Sequence, residues 1–164
     1  MNRFVSHFTN RLDAKGRVSI PASFRTVLAR DGFEGLYVHP ALDSLALDAG
    51  GHALLAEIDA VLSRLPAYSD ERDHLSTALY GTSEILKVDG EGRIVLTETV
   101  KAHAGIADAV TFVGLGHKFQ IWEPERFRTH LEAARARVRD LKRSLGSPMA
   151  ASSAPQAPAG VRDR

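Results

Sequence analysis

The chain is 164 residues long, with 44% hydrophobic and 25% charged residues, which is typical of a globular protein with one ordinary domain or two small ones. The absence of cysteine excludes disulfides and thiolate chemistry, and the absence of a signal-like or membrane-spanning apolar stretch favours a cytoplasmic protein with no membrane association. The net charge of +1 is unevenly distributed: residues 1–30 carry +5, residues 31–84 carry −8, residues 85–122 are neutral and residues 123–164 carry +4. A basic face for a polyanion and ordinary solvated surface explain this pattern about equally well.

The first predicted unit covers residues 3–50, in the order strand, turn, strand, short helix, strand, turn, strand. Its first turn is Asp13-Ala14-Lys15-Gly16-Arg17, where the aspartate side chain can cap the turn and glycine can take a positive φ, as in hairpins. The next residues, Val18-Ser19-Ile20, alternate with period two and predict a strand. Pro21 then suits the first position of a helix, because an N–H at that position has no partner within the helix.

Residues 51–81 are predicted to form a helical connector. Apolar residues at helical spacing indicate one helix that Pro66 stops, and Ser69 can cap a second helix after it. The apolar residues of the first helix are Leu54, Ile58, Val61 and Leu65.

The second predicted unit, residues 82–125, is a diverged copy of the first. Residues 88–97 match residues 12–21 at a constant offset of 76, with identical aspartate, glycine and arginine, and a downstream block matches at an offset of 74. Thr97 replaces the proline and can cap the second short helix. A unit of about 45 residues rarely buries enough apolar area to fold alone. We therefore expect the copies to pack as a pseudo-dimer or to exchange strands, in one interwoven body.

A long helix is predicted for residues 126–145, opened by Glu123-Pro124-Glu125. Its apolar residues step alternately by four and three, which is a heptad seam: Phe127, Leu131, Ala134, Val138, Leu141 and Leu145. Because the seam is too short for a free coiled coil, we expect it to pack on the helix of residues 54–65, within the chain or in a neighbouring copy. Gly146 ends the helix, and residues 146–164, rich in Ala, Pro and Ser, are predicted to be disordered.

The best candidate for a functional site is the tip of the first turn, where Lys15 and Arg17 flank Gly16. A hairpin tip can enter a DNA groove, where arginine pairs with phosphate or with guanine. A tip is also a good place for solvated charge, but the recurrence of the arginine in the second copy favours a function. The candidate DNA-binding residues are Lys15, Arg17, Arg93, Arg11 and Arg25.

A structural role for the turn residues is the alternative. Each aspartate can pair with the arginine four residues later and so brace its turn around the glycine. A braced arginine is also held in position for a ligand, so the two roles can coexist. The predicted brace residues are Asp13, Gly16, Asp89 and Gly92.

No catalytic, metal or cofactor site is expected from the sequence. None of the seven histidines forms a pair at zinc-ligand spacing, and most are interpreted as surface residues. Asp43, Asp48 and Asp59 are interpreted as parts of solvated faces. The basic residues between positions 135 and 143 can touch nucleic acid, but the polar side of a packed helix is the better interpretation. We therefore expect no enzyme activity, no cofactor and no small-molecule substrate.

These motifs resemble the MraZ family of bacterial regulators, which are built from two AbrB-type swapped-hairpin modules. The resemblance is carried by residues 12–21, by Asp89-x-x-Gly92-Arg93-Ile94, by Val113-Gly114-Leu115-Gly116 and by Phe119-Gln120-Ile121-Trp122, and it covers about residues 1–145. It implies an α+β fold in which two β-rich repeats form one pseudo-dimeric body, with flanking helices and a disordered C-terminal tail.

The resemblance also implies a function: a sequence-specific repressor at the promoter of the division and cell-wall gene cluster. It implies a ring-shaped homo-oligomer that binds double-stranded DNA and associates with the nucleoid, with DNA contact through the motifs Asp13 to Arg17 and Asp89 to Arg93. Glu91 stands where a neutral or basic residue is expected and Thr97 where proline is expected, which implies a smaller contribution of the second repeat to DNA affinity. The alternative function is an antitoxin-like protein-interaction module without direct DNA readout.

Overall fold

The computed structural model describes residues 2–146, which form an α+β protein with eight β-strands and five α-helices. The expected class, α+β with two β-rich repeats, is confirmed. In chain order the elements are β1 (His7–Arg11), β2 (Arg17–Ser19), α1 (Ala22–Asp31), β3 (Leu36–Pro40), β4 (Leu47–Gly50), α2 (His52–Leu62), α3 (Asp70–Leu79), β5 (Glu84–Leu86), β6 (Arg93–Val95), α4 (Glu98–Ala104), β7 (Ala109–Gly114), β8 (Phe119–Trp122) and α5 (Pro124–Leu145).

The strands form two antiparallel assemblies. Six of them make one sheet in the order β1-β7-β8-β4-β3-β5, and β2 pairs with β6 as a separate two-stranded ribbon. Strands β1, β3 and β4 of the first repeat correspond to β5, β7 and β8 of the second. When each strand is replaced by its counterpart, the strand order of the sheet becomes the same order read from the opposite edge. The repeats are therefore related by a pseudo-twofold axis that passes between β4 and β8 and between β2 and β6.

The two repeats exchange strands, which confirms the prediction of one interwoven body. β1 lies beside β7 of the second repeat, with Phe8 opposite Phe112, and β5 lies beside β3 of the first, with Ile85 opposite Tyr37. β2 pairs with β6, so the strands around each Asp-x-x-Gly-Arg turn do not form the simple hairpin that the local pattern suggests. Alternation of apolar residues fixes which face of a strand is buried and leaves its pairing partner open.

The main hydrophobic core joins the sheet, the ribbon and helices α1 and α4. Val18 and Ile94, opposite each other in the ribbon, are almost completely buried. The ring of Phe24 in α1 packs against Phe4 and Phe119, with centroid distances of 5.3 Å and 5.0 Å. Each large side chain buried here stabilises the fold by about 1.5–3 kcal/mol. Because the inner face of the ribbon is buried in this core, the opposite face of the ribbon lies at the protein surface.

A smaller hydrophobic cluster lies between the two connector helices and β3. Residues of α2 pack there against Tyr37 of β3 and Leu79 of α3; they are Leu54, Ile58 and Leu62.

Side-chain caps begin the third and fourth helices, as expected. The hydroxyl of Ser69 accepts a hydrogen bond from the N–H of Arg72 at 3.2 Å, and the hydroxyl of Thr97 accepts one from the N–H of Val100 at 3.4 Å. Each hydroxyl satisfies one of the N–H groups that a helix start leaves unpaired.

Three helix boundaries differ from the expectation. Helix α5 starts at Pro124, two residues before the predicted start at residue 126. Pro21 is the N-cap of α1, which starts at Ala22, one residue later than predicted. Helix α2 ends at Leu62, so Leu65 lies outside it. The reason is steric, because the ring of Pro66 disfavours helical backbone at the residue that precedes it, Leu65.

The chain divides into two compact units, Met1–Phe127 and Arg128–Arg164. The first contains all eight strands of the described residues, helices α1 to α4 and the start of α5. In the second, the structure describes the remainder of α5 and Gly146. Residues 147–164, most of the segment predicted to be disordered, lie outside the described residues. Within residues 2–146, no helix combines the length and the apolar character needed to cross a membrane.

Candidate nucleic-acid interface

The first Asp-x-x-Gly-Arg turn is closed by backbone and side-chain hydrogen bonds. The N–H of Asp13 donates to the carbonyl of Arg17 at 2.8 Å, and the N–H of Gly16 donates to the carbonyl of Asp13 at 2.9 Å. Asp13 Oδ1 accepts from the N–H groups of Lys15 and Arg17, both at 2.9 Å, while Oδ2 accepts from Arg17 Nε at 2.7 Å. One carboxylate thus holds both the turn backbone and the Arg17 guanidinium.

The second turn repeats this arrangement. Asp89 Oδ1 accepts from the N–H groups of Glu91 and Arg93, and Oδ2 accepts from Arg93 Nε, each at 2.9 Å. The turn glycines, Gly16 and Gly92, have φ values of 77° and 78°, in the left-handed region that glycine enters readily. The spacing of aspartate, glycine and arginine is therefore the spacing that this turn geometry needs.

Both turn aspartates are stabilised in their ionised form. Hydrogen bonds from the backbone N–H of Arg17 lower the pKa of Asp13 below its ordinary value, and those from the N–H of Arg93 lower the pKa of Asp89 in the same way. The side-chain hydrogen bond to Asp89 in turn raises the pKa of Arg93. Each arginine is therefore oriented by a carboxylate that stays charged at neutral pH.

The outward face of the β2–β6 ribbon carries both arginines. Arg17 lies opposite Val95, and Ser19 lies opposite Arg93. Since the middle residue of each strand is buried and side chains alternate across a strand, these four residues share the face away from the core. Diagonal positions such as those of Arg17 and Arg93 lie about 7–8 Å apart. The ribbon therefore presents one compact patch with two fixed guanidinium groups.

The other three candidate residues lie around the ribbon in different ways. Lys15 is exposed at the tip of the first turn, and Arg11 is exposed at the end of β1, two residues before that turn begins. Arg25 of α1 contacts the second turn instead, where its Nη1 donates to the carbonyl of Glu91 at 2.9 Å. The structure thus places Lys15 and Arg11 at the first turn and Arg25 at the second.

Arg25 makes the surroundings of the two turns unequal. A Cβ at Gly92 would lie 2.2 Å from Arg25 Nη1, whereas a Cβ at Gly16 would have no neighbour within 4 Å. Arg93 Nη1 also lies 3.5 Å from the Glu91 carboxylate. Sequence patterns did not reveal the contact of Arg25, because 66 residues separate it from Glu91.

A second charged cluster, around Asp48 and His39, is buried, which differs from the expectation. Asp48 and His39 are 7% and 3% exposed, so the expectation of a solvated aspartate is wrong, and His39 departs from the expected surface position. Asp48 Oδ1 accepts from Gln120 Nε2 at 2.8 Å, and Oδ2 lies 3.3 Å from Lys118 Nζ. A buried carboxylate needs such partners, and here they come from the distant end of the chain. Within residues 2–146, no group of three or more histidine or carboxylate side chains is arranged to hold a metal ion.

Comparison with known proteins places the chain in a family. A family model described as "MraZ protein, putative antitoxin-like" matches residues 79–144. A protein named Transcriptional regulator MraZ from Beijerinckia indica is 71% identical over 164 residues, 99% of this chain and all of the relative. The chain belongs to the MraZ family. MraZ relatives carrying the same name are 70% identical in Methylocella silvestris, over 94% of both chains, and 38% identical in Rickettsia bellii, over 88% of this chain and 97% of the relative. The family suggested by the motifs is confirmed.

Proposed function

We propose that this MraZ-family chain is a transcription regulator that binds double-stranded DNA sequence-specifically through its β2–β6 ribbon. The observation that carries the proposal is the outward face of the ribbon, where Arg17 and Arg93 are each fixed by an aspartate. The major groove of B-DNA admits a two-stranded β-ribbon, and arginine there pairs bidentately with guanine. A fixed arginine loses little conformational freedom on binding, which favours specific contact.

The remaining candidate residues are proposed to contact the phosphate backbone beside the groove. Lys15 and Arg11 provide exposed cations next to the first turn. Arg25 can contribute as well, because a guanidinium has five N–H donors and only one of its nitrogens holds the Glu91 carbonyl. Phosphate contacts of this kind set orientation and affinity, while base contacts set specificity.

The proposed biological role follows the family resemblance and the names of the relatives, which are transcriptional regulators. The target is the promoter upstream of the chain's own gene, in the division and cell-wall gene cluster, and the outcome is repression. Several copies act as a ring-like homo-oligomer on repeated DNA elements, because linkage raises the effective concentration of each ribbon at its site. The proposed location is the cytoplasm, in association with the nucleoid.

Binding of the full chain to the DNA upstream of its own gene tests this proposal. The measurement compares that DNA with a shuffled sequence of equal length, at about 50 mM and about 200 mM salt. We expect preference for the upstream DNA and a steep loss of affinity with salt, because neutralised phosphates release counterions. Equal binding of both sequences, or an affinity that salt does not change, contradicts the proposal. No DNA binding at all favours the antitoxin-like alternative, a module that binds a protein partner.

A further inference from the structure

The outward face of the β2–β6 ribbon carries two further side chains beside its arginines. Ser19 and Val95 are both exposed, and Val95 is 51% exposed although it is aliphatic. Val95 lies opposite Arg17, and Ser19 lies opposite Arg93. The Cβ atoms of directly opposite residues in an antiparallel pair are about 4.5–5.5 Å apart. A ligand that contacts Arg17 therefore also meets Val95.

The orientation of these two side chains is fixed by the buried middle of the ribbon. Val18 and Ile94 are each 1% exposed, so neither strand can turn over without bringing its apolar residue to the surface. The end of β2 is also held in place, because the carbonyl of Ser19 accepts a hydrogen bond from Asn10 Nδ2 at 2.7 Å. The ribbon thus presents a preformed face, on which Val95 already points outward.

Ser19 and Val95 occupy equivalent positions in the two repeats. At the offset of 76 that relates the repeats, Ser19 corresponds to Val95 and Arg17 corresponds to Arg93. The pseudo-twofold axis through the ribbon therefore relates arginine to arginine but a hydroxyl side chain to an aliphatic one. Since serine is accepted at the equivalent position, the turn and strand geometry does not require an aliphatic residue there. Val95 is the apolar member of an otherwise polar face.

An aliphatic side chain beside an arginine suits one feature of the major groove. The apolar group on the base edges of that groove is the C5 methyl group of thymine, which apolar side chains contact, while arginine pairs with guanine. Successive bases of one strand are about 3.4 Å apart. The separation of about 5 Å between Val95 and Arg17 therefore corresponds to between one and about two base pairs. Phosphate groups, in contrast, offer no apolar contact to a valine.

We infer, on the basis of the proposed DNA binding, that Val95 is a specificity-determining residue that contacts the C5 methyl group of a thymine. This thymine lies within about two base pairs of the guanine bound by Arg17. At the equivalent place beside Arg93, Ser19 offers a hydroxyl group, which pairs with donors and acceptors of several bases and discriminates less between them. The two halves of the DNA element that one ribbon contacts are therefore distinguished by Ser19 and Val95.

Replacing thymine by deoxyuridine tests the contact, because the replacement removes only the methyl group. The probe is a duplex from the DNA upstream of the chain's own gene, trimmed to the segment that the wild type protects from cleavage, with one thymine replaced at a time. One replacement should weaken binding of the wild type about three- to fourfold, which is the effect of one methyl group that is no longer buried. The guanine bound by Arg17 is located with 7-deazaguanine, which lacks the N7 acceptor and should weaken binding of the wild type but not of Arg17→Ala.

Val95→Ser gives the face the same residue at both equivalent positions. Binding of the unmodified duplex should weaken about three- to fourfold, and the sensitive deoxyuridine should then cause no further loss, because the contact is already absent. Val5→Ser is a matched control, since Val5 is 49% exposed and lies outside the ribbon. The control should bind every duplex as the wild type does. Sedimentation should give all three proteins the same mass.

Exchange of the two residues is the decisive measurement. In the double variant Ser19→Val with Val95→Ser, the aliphatic side chain lies beside Arg93 instead of Arg17. Each base pair in the half of the element near Arg93 is replaced in turn, in both orientations, by a thymine pair and by a deoxyuridine pair. The methyl-dependent position should move to this half. If it stays where it is in the wild type, another residue contacts that methyl group and the assignment to Val95 is wrong.

Failure of the Val95 contact can be told apart from failure of the proposed function. A wild type that prefers the upstream DNA but is insensitive to every thymine methyl group would overturn the role of Val95 and leave DNA binding intact. Equal effects of one deoxyuridine on the wild type and on Val95→Ser would overturn that role as well. A wild type that binds no DNA would overturn both. The deoxyuridine series on the wild type needs no substitution in the protein, so it decides the question even if circular dichroism shows a variant to be unfolded.

Discussion

The turn at Asp13–Arg17 and the turn at Asp89–Arg93 share their hydrogen bonds and differ in their surroundings. Around the first turn, the space beside Gly16 is open and Lys15 is exposed. Around the second, Arg25 covers the glycine and donates to the adjacent carbonyl. The two turns therefore have the same backbone geometry, but the space beside the first glycine is open and the second glycine is covered by an arginine side chain.

The difference separates the residues that build the turn from those that set its charge. Aspartate, glycine and arginine occur in both turns and determine the backbone. The second residue after the aspartate is Lys15 in one turn and Glu91 in the other, so the charged residues of the first turn sum to +1 and those of the second to −1. We therefore expect the first turn to provide more of the attraction to DNA phosphates.

Replacing each arginine by alanine gives the largest expected effect. Arg17→Ala should weaken binding to the upstream DNA by about 1–3 kcal/mol, roughly 5- to 150-fold, because the variant lacks an arginine that we propose to read bases. Arg93→Ala should weaken binding less, because the nearby Glu91 carboxylate already offsets part of its charge. Fluorescence anisotropy measures both, with Arg64→Ala outside the ribbon as the control.

Oligomer mass measured on the same variants distinguishes DNA contact from turn bracing. Arg17→Ala and Arg93→Ala should both keep the mass of the wild type. Dissociation into monomers would show that these arginines are needed for the fold of the repeats. A greater loss of DNA binding in Arg93→Ala than in Arg17→Ala would reverse the order of the two turns.

Alanine at the two glycines tests the packing difference directly. Both positions have positive φ, a conformation that disfavours alanine by about 1–2 kcal/mol. Gly16→Ala should lower the free energy of unfolding by that strain alone. Gly92→Ala should lower it further, because the Arg25 side chain must then leave its position over residue 92 and lose its hydrogen bond to the Glu91 carbonyl. Urea denaturation at neutral pH measures both free energies.

An Arg25→Ala background provides the control for that prediction. Without the guanidinium, Gly92→Ala should be destabilising only through backbone strain. Its effect on the free energy of unfolding should therefore approach that of Gly16→Ala. The double-mutant cycle isolates the contact between Arg25 and Gly92 from the other effects of removing Arg25. An equal loss of stability for Gly92→Ala with and without Arg25 would mean that the arginine moves aside freely.

Local chemistry explains why much of this site could be predicted from the sequence. The turn spacing, the strand after each turn and the caps at Ser69 and Thr97 each depend on residues within four positions of one another. The repeat could be recognised because the same local pattern occurs twice. For these features a short window of sequence contains both partners of every important contact.

Contacts between distant segments could not be predicted in this way. Pairing of β2 with β6 joins residues 76 positions apart, such as Val18 and Ile94, and alternation alone does not name a partner. The bond from Arg25 to Glu91 and the burial of Asp48 beside Gln120 depend on that same topology. The inequality of the two turns is therefore a property of the fold, although the charge difference is visible in the sequence.

Exchanging the charge at the variable turn position should have a moderate effect. Glu91→Lys removes a carboxylate near Arg93 and adds a cation, so DNA affinity should rise a few-fold. The slope of log affinity against log salt concentration should steepen by about the amount expected for one more phosphate contact. Lys15→Glu should do the opposite at the first turn. Plots of log affinity against log salt concentration measure both slopes. Unchanged slopes in both variants would show that neither position lies near DNA phosphates.

Acid titration should have the smallest effect and should not distinguish the turns. Hydrogen bonds from backbone N–H groups depress the pKa of Asp13 and of Asp89 below the ordinary value of 3.8. A depressed pKa means that the contribution of each carboxylate to stability is complete above about pH 4 and is lost only as the pH falls through the lower folded value. Carbon chemical shifts of the two carboxyl groups should thus stay constant from about pH 8 to about pH 5. Both midpoints should lie below that of an aspartate in an unstructured peptide, because the bonds that cause the shift are common to the two turns. If the carboxyl group of one turn alone titrated at the ordinary value, the two turns would differ in the hydrogen bonds of their aspartates, and not only in the contacts of Arg25 and Glu91.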